Sequence, residues 1–304
     1  MTLLAVSGST GFAWAAQHNG FVLDGASVPV REIKRGGPPR DGIPAIDRPK
    51  FVPSSAARFL QPEDRVLGYA DRHGAKAYPI RIMNWHEIVN DESGDDGLLI
   101  TYCPLCGTGM AFSVVHGKTF GVSGLLYNSD VLLYDRETES LWSQIMGRAI
   151  AGPRQGELLE LVPLRPTTWD AWRSAYPDTL VLSPETGYRI DYQVDPYEGY
   201  DRSKRLMFSV SSRDQSYHPK ALVTGVVIDG KARAYPFEEL AKLSEPLVEQ
   251  IGSTTIRVRY DGAAKSAWLE RLDGGAATDL ASVTAFWFAW YAFHPDTSVF
   301  VYEP

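Results

Sequence analysis

Cysteine is nearly missing from this sequence, with two residues in 304. That excludes a disulfide-stapled scaffold, and an all-cysteine zinc site within one chain, which needs four thiolates. A basic excess is missing too. Thirty Lys and Arg stand against 37 Asp and Glu, a formal net charge of −7, so no nucleic-acid partner is expected. No apolar run reaches the roughly 18 residues of a membrane span. The densest run, FWFAWYAF at 286–293, reads as a core helix or strand. Phosphate loops and dinucleotide fingerprints are absent. His86-Glu87 lacks the second histidine of a zinc-protease helix, and Gly121-Val-Ser-Gly124 is not a nucleophile elbow. What is present is 44% hydrophobic residues with 8 Trp, 15 Tyr and 12 Phe, enough to fold as one large domain or two ordinary ones.

Residues 3–16, LLAVSGSTGFAWAA, are uncharged, and Ala13-Trp14-Ala15 has the small-x-small form of a cleavage site. Residues 1–16 therefore read as a signal peptide, although a basic n-region is lacking. The expected location is periplasmic or extracellular, and cytoplasmic if these residues are not a leader. An N-terminal arm over 17–61 follows. Its stretch 34–50 holds four prolines, three glycines and seven charged residues, composition suited to an extended strap.

Two segments resemble each other at a constant offset of 157: PEDRVLGYADRHGAKAYP at 62–79 and PKALVTGVVIDGKARAYP at 219–236. Tyr102 then matches Tyr260, and WRSAYPDTLVL from Trp172 matches WYAFHPDTSVF from Trp290. Three blocks in one order indicate a degenerate tandem duplication. Copy 1 covers 62–185, and 186–304 holds a linker and copy 2. Pro79 and Pro177 are 98 residues apart but Pro236 and Pro295 only 59, so copy 1 carries an insertion of about 39 residues around 121–144. Short alternating runs bounded by Asp-Gly and Asn-Ser-Asp turns predict an α+β, β-rich, mostly antiparallel fold in two unequal lobes. A short helix is expected after Pro79 and another over 169–176.

The sharpest motif is Thr101-Tyr-Cys-Pro-Leu-Cys-Gly-Thr-Gly-Met110. Two cysteines at this spacing can grip one soft metal ion or close a disulfide. Copy 2 has Asp261 and Ala264 at the matching places, so the pair belongs to one copy and points to function. The glycines after Cys106 oppose an immediate helix, and so oppose a thioredoxin-type thiol at a helix N-terminus. Of six histidines, His18 lies in the tail, His73 and His116 in turns, and His294 at a packing position. His86, on an apolar helix face, and His218, entering copy 2, remain as candidate ligands.

AYPIRIMNWHEIVND, TYCPLCGTGMAF, FGVSGLLYNSDVLLYDRETESLWSQ and the HPK before GVVIDGKARAYP resemble the bacterial and archaeal family called domain of unknown function 3179 (DUF3179), whose members are often exported. The resemblance spans about residues 40–302 and implies no particular activity. It places His86, Cys103, Cys106 and His218 in family motifs, with Asn128, Asp130, Arg136, Trp142 and Gln144. The expected function is an exported soft-metal protein with copper or zinc on Cys103, Cys106, His86 and His218. Asn128, Asp130, Arg136, Trp142 and Gln144 would form the site wall or lid, or, for the charged ones, a solvated hairpin rim. An open metal position would allow oxidoreductase chemistry on an unknown small molecule or exported partner. Two alternatives stay open: a binding module with a structural disulfide, and a thiol–disulfide oxidoreductase.

Overall fold

The computed structural model describes residues 17–303, so the expected leader at 1–16 lies outside the described residues. Copy 1 opens with the hairpin β1 (Arg65–Asp71) and β2 (Gly74–Pro79). Pro79 has φ −62°, which suits the entry to α1 (Ile80–His86). The helix stops at Glu87, whose φ of +57° is left-handed. A meander follows: β3 (Ile88–Ser93), β4 (Asp96–Cys103) and β5 (Thr108–Val114). The inserted residues build β6 (Phe120–Tyr127), β7 (Asp130–Asp135), β8 (Leu141–Ser143) and β9 (Arg148–Ala151). Copy 1 closes with β10 (Glu160–Val162), β11 (Arg165–Thr168), α2 (Trp169–Ala175) and β12 (Leu180–Leu182).

Residues 183–221 contain no helix or strand. Copy 2 then runs β13 (Leu222–Ile228), β14 (Lys231–Pro236) and α3 (Phe237–Leu240). Its meander is β15 (Leu247–Ile251), β16 (Thr254–Asp261), β17 (Ser266–Asp273) and β18 (Ala276–Leu280). It ends with β19 (Val283–Phe286), α4 (Trp287–Phe293) and β20 (Ser298–Val299). The architecture is β-rich and mostly antiparallel with few helices, as the turn chemistry predicts.

Both segments build the same four-strand unit, β11-β1-β2-β12 in one and β19-β13-β14-β20 in the other. In each, the last strand runs parallel to the second, with Val181 opposite Ala77 and Val299 opposite Ala234. The packing device is also shared. A Cβ at Gly68 would sit 2.3 Å from the Trp172 ring, and one at Gly225 would sit 2.4 Å from the Trp290 ring. Each indole N–H donates to a threonine hydroxyl 3.0 Å away, Thr179 and Thr297 respectively. Glycine is required at both places because a tryptophan lies flat against the strand.

The meander of copy 1 does not stay with its own unit. Gly109 of β5 pairs with Thr284 of β19, extending the copy 2 sheet through β5, β4 and β3. The copy 2 meander forms a separate four-stranded sheet, and Arg65 of β1 donates to the carbonyl of Ala264 in its central turn. The arm ties these parts together. Residues Ile33–Arg35 extend the insertion sheet beside β6, and Phe51–Pro53 pairs with β12. Between them, the Ile46 amide donates to Ile88 O and its carbonyl accepts from the Asn90 amide.

Candidate metal centre

Cys103 is the last residue of β4, Cys106 lies in the turn, and Thr108 opens β5. The motif is therefore a hairpin turn and not a helix N-terminus. The Cys106 amide donates to Cys103 O, and Phe286 from copy 2 donates its amide to Cys106 O at 2.8 Å. Gly107 has φ +61°, and a Cβ there would meet the Phe286 ring at 2.9 Å, so the turn accepts glycine alone at that place. Both thiols are free and buried, at 1% and 0% exposure.

The insertion faces them with its Asn128-Ser129 turn. Both residues have positive φ, 53° and 64°, the backbone of a type I′ hairpin. Asparagine tolerates this region, whereas serine there costs about 1 kcal/mol. Ser129 offsets that cost by contacts. Its hydroxyl donates to Phe208 O at 3.0 Å, and its carbonyl lies 3.4 Å from Cys106 Sγ and 3.7 Å from Cys103 Sγ. Asn128 donates its amide nitrogen to Ala292 O and accepts from the Ser211 amide at 2.8 Å. The turn thus pins the 183–221 segment over the cysteines.

Asp130, first residue of β7, completes the centre. It is wholly buried, and its Oδ2 accepts from Ser143 Oγ and the Ile145 amide, each at 3.1 Å. Its Oδ1 has no hydrogen-bond partner. One ligand atom from each of Cys103, Cys106 and Asp130 fits within 4.8 Å of the others. Burial pushes the Asp130 carboxyl up to about 7 against its hydrogen bonds. Glu87 lies nearby, 6% exposed, and its carboxyl is pushed up to about 8 by burial and then by the Asp130 charge. Burial raises the Cys106 thiol well above its ordinary range, aided by its hydrogen bond with Cys103 and by the charges of Cys103, Asp130 and Glu87. Among the described residues, no lysine or arginine forms an ion pair with Asp130 or Glu87. Four acidic groups therefore share a buried volume without a protein cation.

The other anticipated site residues lie elsewhere. His86 is fully buried, but both its ring nitrogens are occupied. Nδ1 is 2.7 Å from Pro44 O and Nε2 is 2.6 Å from the Tyr192 hydroxyl. A carbonyl only accepts, so Nδ1 carries the proton and Nε2 accepts from Tyr192. His86 is thus a tie between the arm and the 183–221 segment. Burial keeps its pKa below the ordinary value, consistent with a neutral ring. His218 lines a separate cavity of about 510 Å³ with Lys204, Arg213 and Phe288, and its Nδ1 accepts from the Lys220 amide. Neither histidine belongs to the group around the sulfurs.

Of the expected wall residues, Gln144 donates to Thr101 Oγ1 and Thr108 O, bracing the strands that hold the cysteines. Trp142 packs in the same apolar core as the cysteines and donates to Asp135. Arg136 pairs with Asp47 of the arm at 2.7 Å and is not part of the wall. Asp130 is no solvated rim residue: the hairpin carrying it faces the interior. Sequence reasoning missed Glu87. Its signal was available in position alone, a glutamate directly after a helix whose His86 face is apolar.

No curated protein and no solved structure matches this chain. A family model described as "Protein of unknown function (DUF3179)" matches residues 40–297, which hold the first four-strand unit, the second up to its last strand, the insertion and the cysteine turn. The chain therefore belongs to the DUF3179 family.

Proposed function

We propose that the chain is a metal-binding protein whose site is Cys103, Cys106 and Asp130, with zinc(II) favoured and copper(I) as its competitor. The observation that carries this reading is Asp130: its Oδ1 is buried without a partner, and a carboxylate oxygen of this residue lies within 4.8 Å of both sulfurs. An unpaired buried carboxylate costs several kcal/mol unless it keeps its proton or a cation meets it.

The dimensions fit the group. Tetrahedral zinc with Zn–S of about 2.3 Å places two sulfurs roughly 3.8 Å apart, inside the observed spread. Two thiolates and a carboxylate are a zinc set, since a hard oxygen donor disfavours copper(I) relative to imidazole or thioether. Three protein ligands leave one position, and Glu87 is near enough for its carboxyl and the Asp130 charge to influence each other. The redox alternative suits these surroundings poorly: an activated thiol needs exposure and nearby positive charge, whereas both thiols here are buried among carboxyls. Export remains part of the proposal, on the strength of residues 3–16.

The test is elemental analysis of protein purified without chelators. Near-stoichiometric zinc or copper is expected, lost in Cys103→Ser/Cys106→Ser and in Asp130→Asn but kept in His86→Gln. Protein that is metal-free and takes up neither ion in dialysis overturns the reading.

A further inference from the structure

The two halves of the fold leave one groove each, at equivalent places, and only one is filled. The first lies against Gly68, Trp172 and Tyr176 and is walled by β17 and β18. Its free volume is about 20 Å³. Trp268 takes up the space, with the Arg165 guanidinium 4.2 Å over its ring and Asp279 3.6 Å from that guanidinium. Tyr176 stacks on Trp172 at 4.3 Å.

The second groove lies against Gly225, Trp290 and His294 and is walled by residues of β5 and β10. Strand register relates the two position by position. Gly68 faces Arg165 as Gly225 faces Val283, and the turn pairs Cys103–Thr108 and Asp261–Ser266 place Met110 where β17 has Trp268. His294 stands for Tyr176, its ring 4.1 Å from that of Trp290. With methionine for tryptophan, valine for arginine and histidine for tyrosine, about 320 Å³ is open. That volume is in the range of small-ligand pockets, and the lining mixes apolar side chains with polar groups that include Ser282 and His294. Met146 offers open polarizable surface that favours an aromatic guest, with Met110, Phe112 and Trp290 buried behind it at 2%, 0% and 1% exposure. Met146, 37% exposed, sits among the lining residues. The ring nitrogens of His294 make no hydrogen bond among the described residues, and burial holds the ring neutral by pushing its pKa down to about 4.

We propose that this groove binds a neutral one- or two-ring aromatic molecule bearing a hydroxyl. The ligand's ring takes the place that the Trp268 indole fills in the first groove, and its hydroxyl donates to His294. The filled groove is what specifies the guest: the same framework, in the same molecule, closes on an indole and a phenol ring. The inference is independent of the metal reading, although Ile145 touches both places, lining the groove while its amide holds Asp130.

The probe is 1-naphthol, titrated into the full chain and followed by its own fluorescence. One saturable site is expected. Met146→Trp, and separately Leu159→Trp, place an indole among the lining residues and should weaken binding at least tenfold. His294→Phe keeps the stack and should weaken 1-naphthol roughly five- to tenfold while leaving naphthalene unchanged. In the wild-type chain, photolabelling with 4-azidophenol should mark the peptides holding Met146 or His294, a readout that no folding defect can imitate. Absence of saturation up to the solubility limit overturns the proposal. So does labelling confined to other peptides, or sedimentation showing that a second copy of the chain covers this face.

Discussion

Replacing Asp130 by asparagine tests the centre most directly, because the substitution keeps the shape and removes the charge. In the metal-free fold the Asp130 carboxyl holds its proton up to about pH 7, against an ordinary value of 3.8. The unfolded chain therefore releases that proton near pH 4 while the folded chain keeps it. Between those values the folded state binds more protons, so stability falls as pH rises from about 4 to 7 and levels off above. The difference corresponds to about 4 kcal/mol. The asparagine of the variant has no proton to lose, and its side-chain oxygen can still accept from Ser143 and Ile145. Urea unfolding of chelator-treated wild type and Asp130→Asn, from pH 5 to 8, should show the wild type losing roughly 2.5 kcal/mol relative to the variant, the part of the difference that lies above pH 5. Zinc should then reverse the order. At a hundredfold its Kd it adds about 2.7 kcal/mol to the wild type, and far less to the variant. Parallel pH profiles, with equal zinc stabilisation of the two proteins, would refute the idea that this carboxylate is buried for a cation.

Three other outcomes follow from the same geometry. Gly68→Ala and Gly225→Ala each force a methyl into an indole face, and each should destabilise by about 2–3 kcal/mol in chemical denaturation, near the upper end for overpacking. His294 titrates at about 4 in the fold and near 6.5 when unfolded, so stability should fall as pH drops from 6.5 to 4. The loss is on the order of 3 kcal/mol and should be missing from His294→Phe. His86→Gln should lower stability by about 1–2 kcal/mol through the lost tie to Pro44 and Tyr192. It should also speed proteolysis within 183–221 while leaving metal content unchanged; loss of metal in that variant would return His86 to the ligand set.

Much of the framework was legible because turns and short helices are local. Asp71-Arg-His-Gly74, Asn128-Ser-Asp130 and the proline before α1 each act within a few residues. The cysteine pair was legible for the same reason. What surrounds it was not. His86 occupies the apolar face expected of it, but Pro44 and Tyr192, which take its two nitrogens, lie 42 and 106 residues away. Asp130 carries the residue type of a solvated hairpin rim, and only the packing of the insertion against the copy 2 helix and the 183–221 segment turns it inward. No period or spacing encodes that choice of face. The exchange of the copy 1 meander into the copy 2 sheet is likewise invisible locally, since it rests on Gly109 meeting Thr284.

That exchange sets an order of events during folding. The cysteine turn is closed by the Phe286 amide, which the ribosome or export channel delivers 180 residues after Cys106. Until then the far edge of β5 lacks its β19 neighbour and the two thiols stay open to whatever ions and oxidants surround the growing chain. If the proposed metal site is correct, its content is therefore set by the surroundings in which the residues near Phe286 emerge, and the finished fold would preserve that content by sealing it.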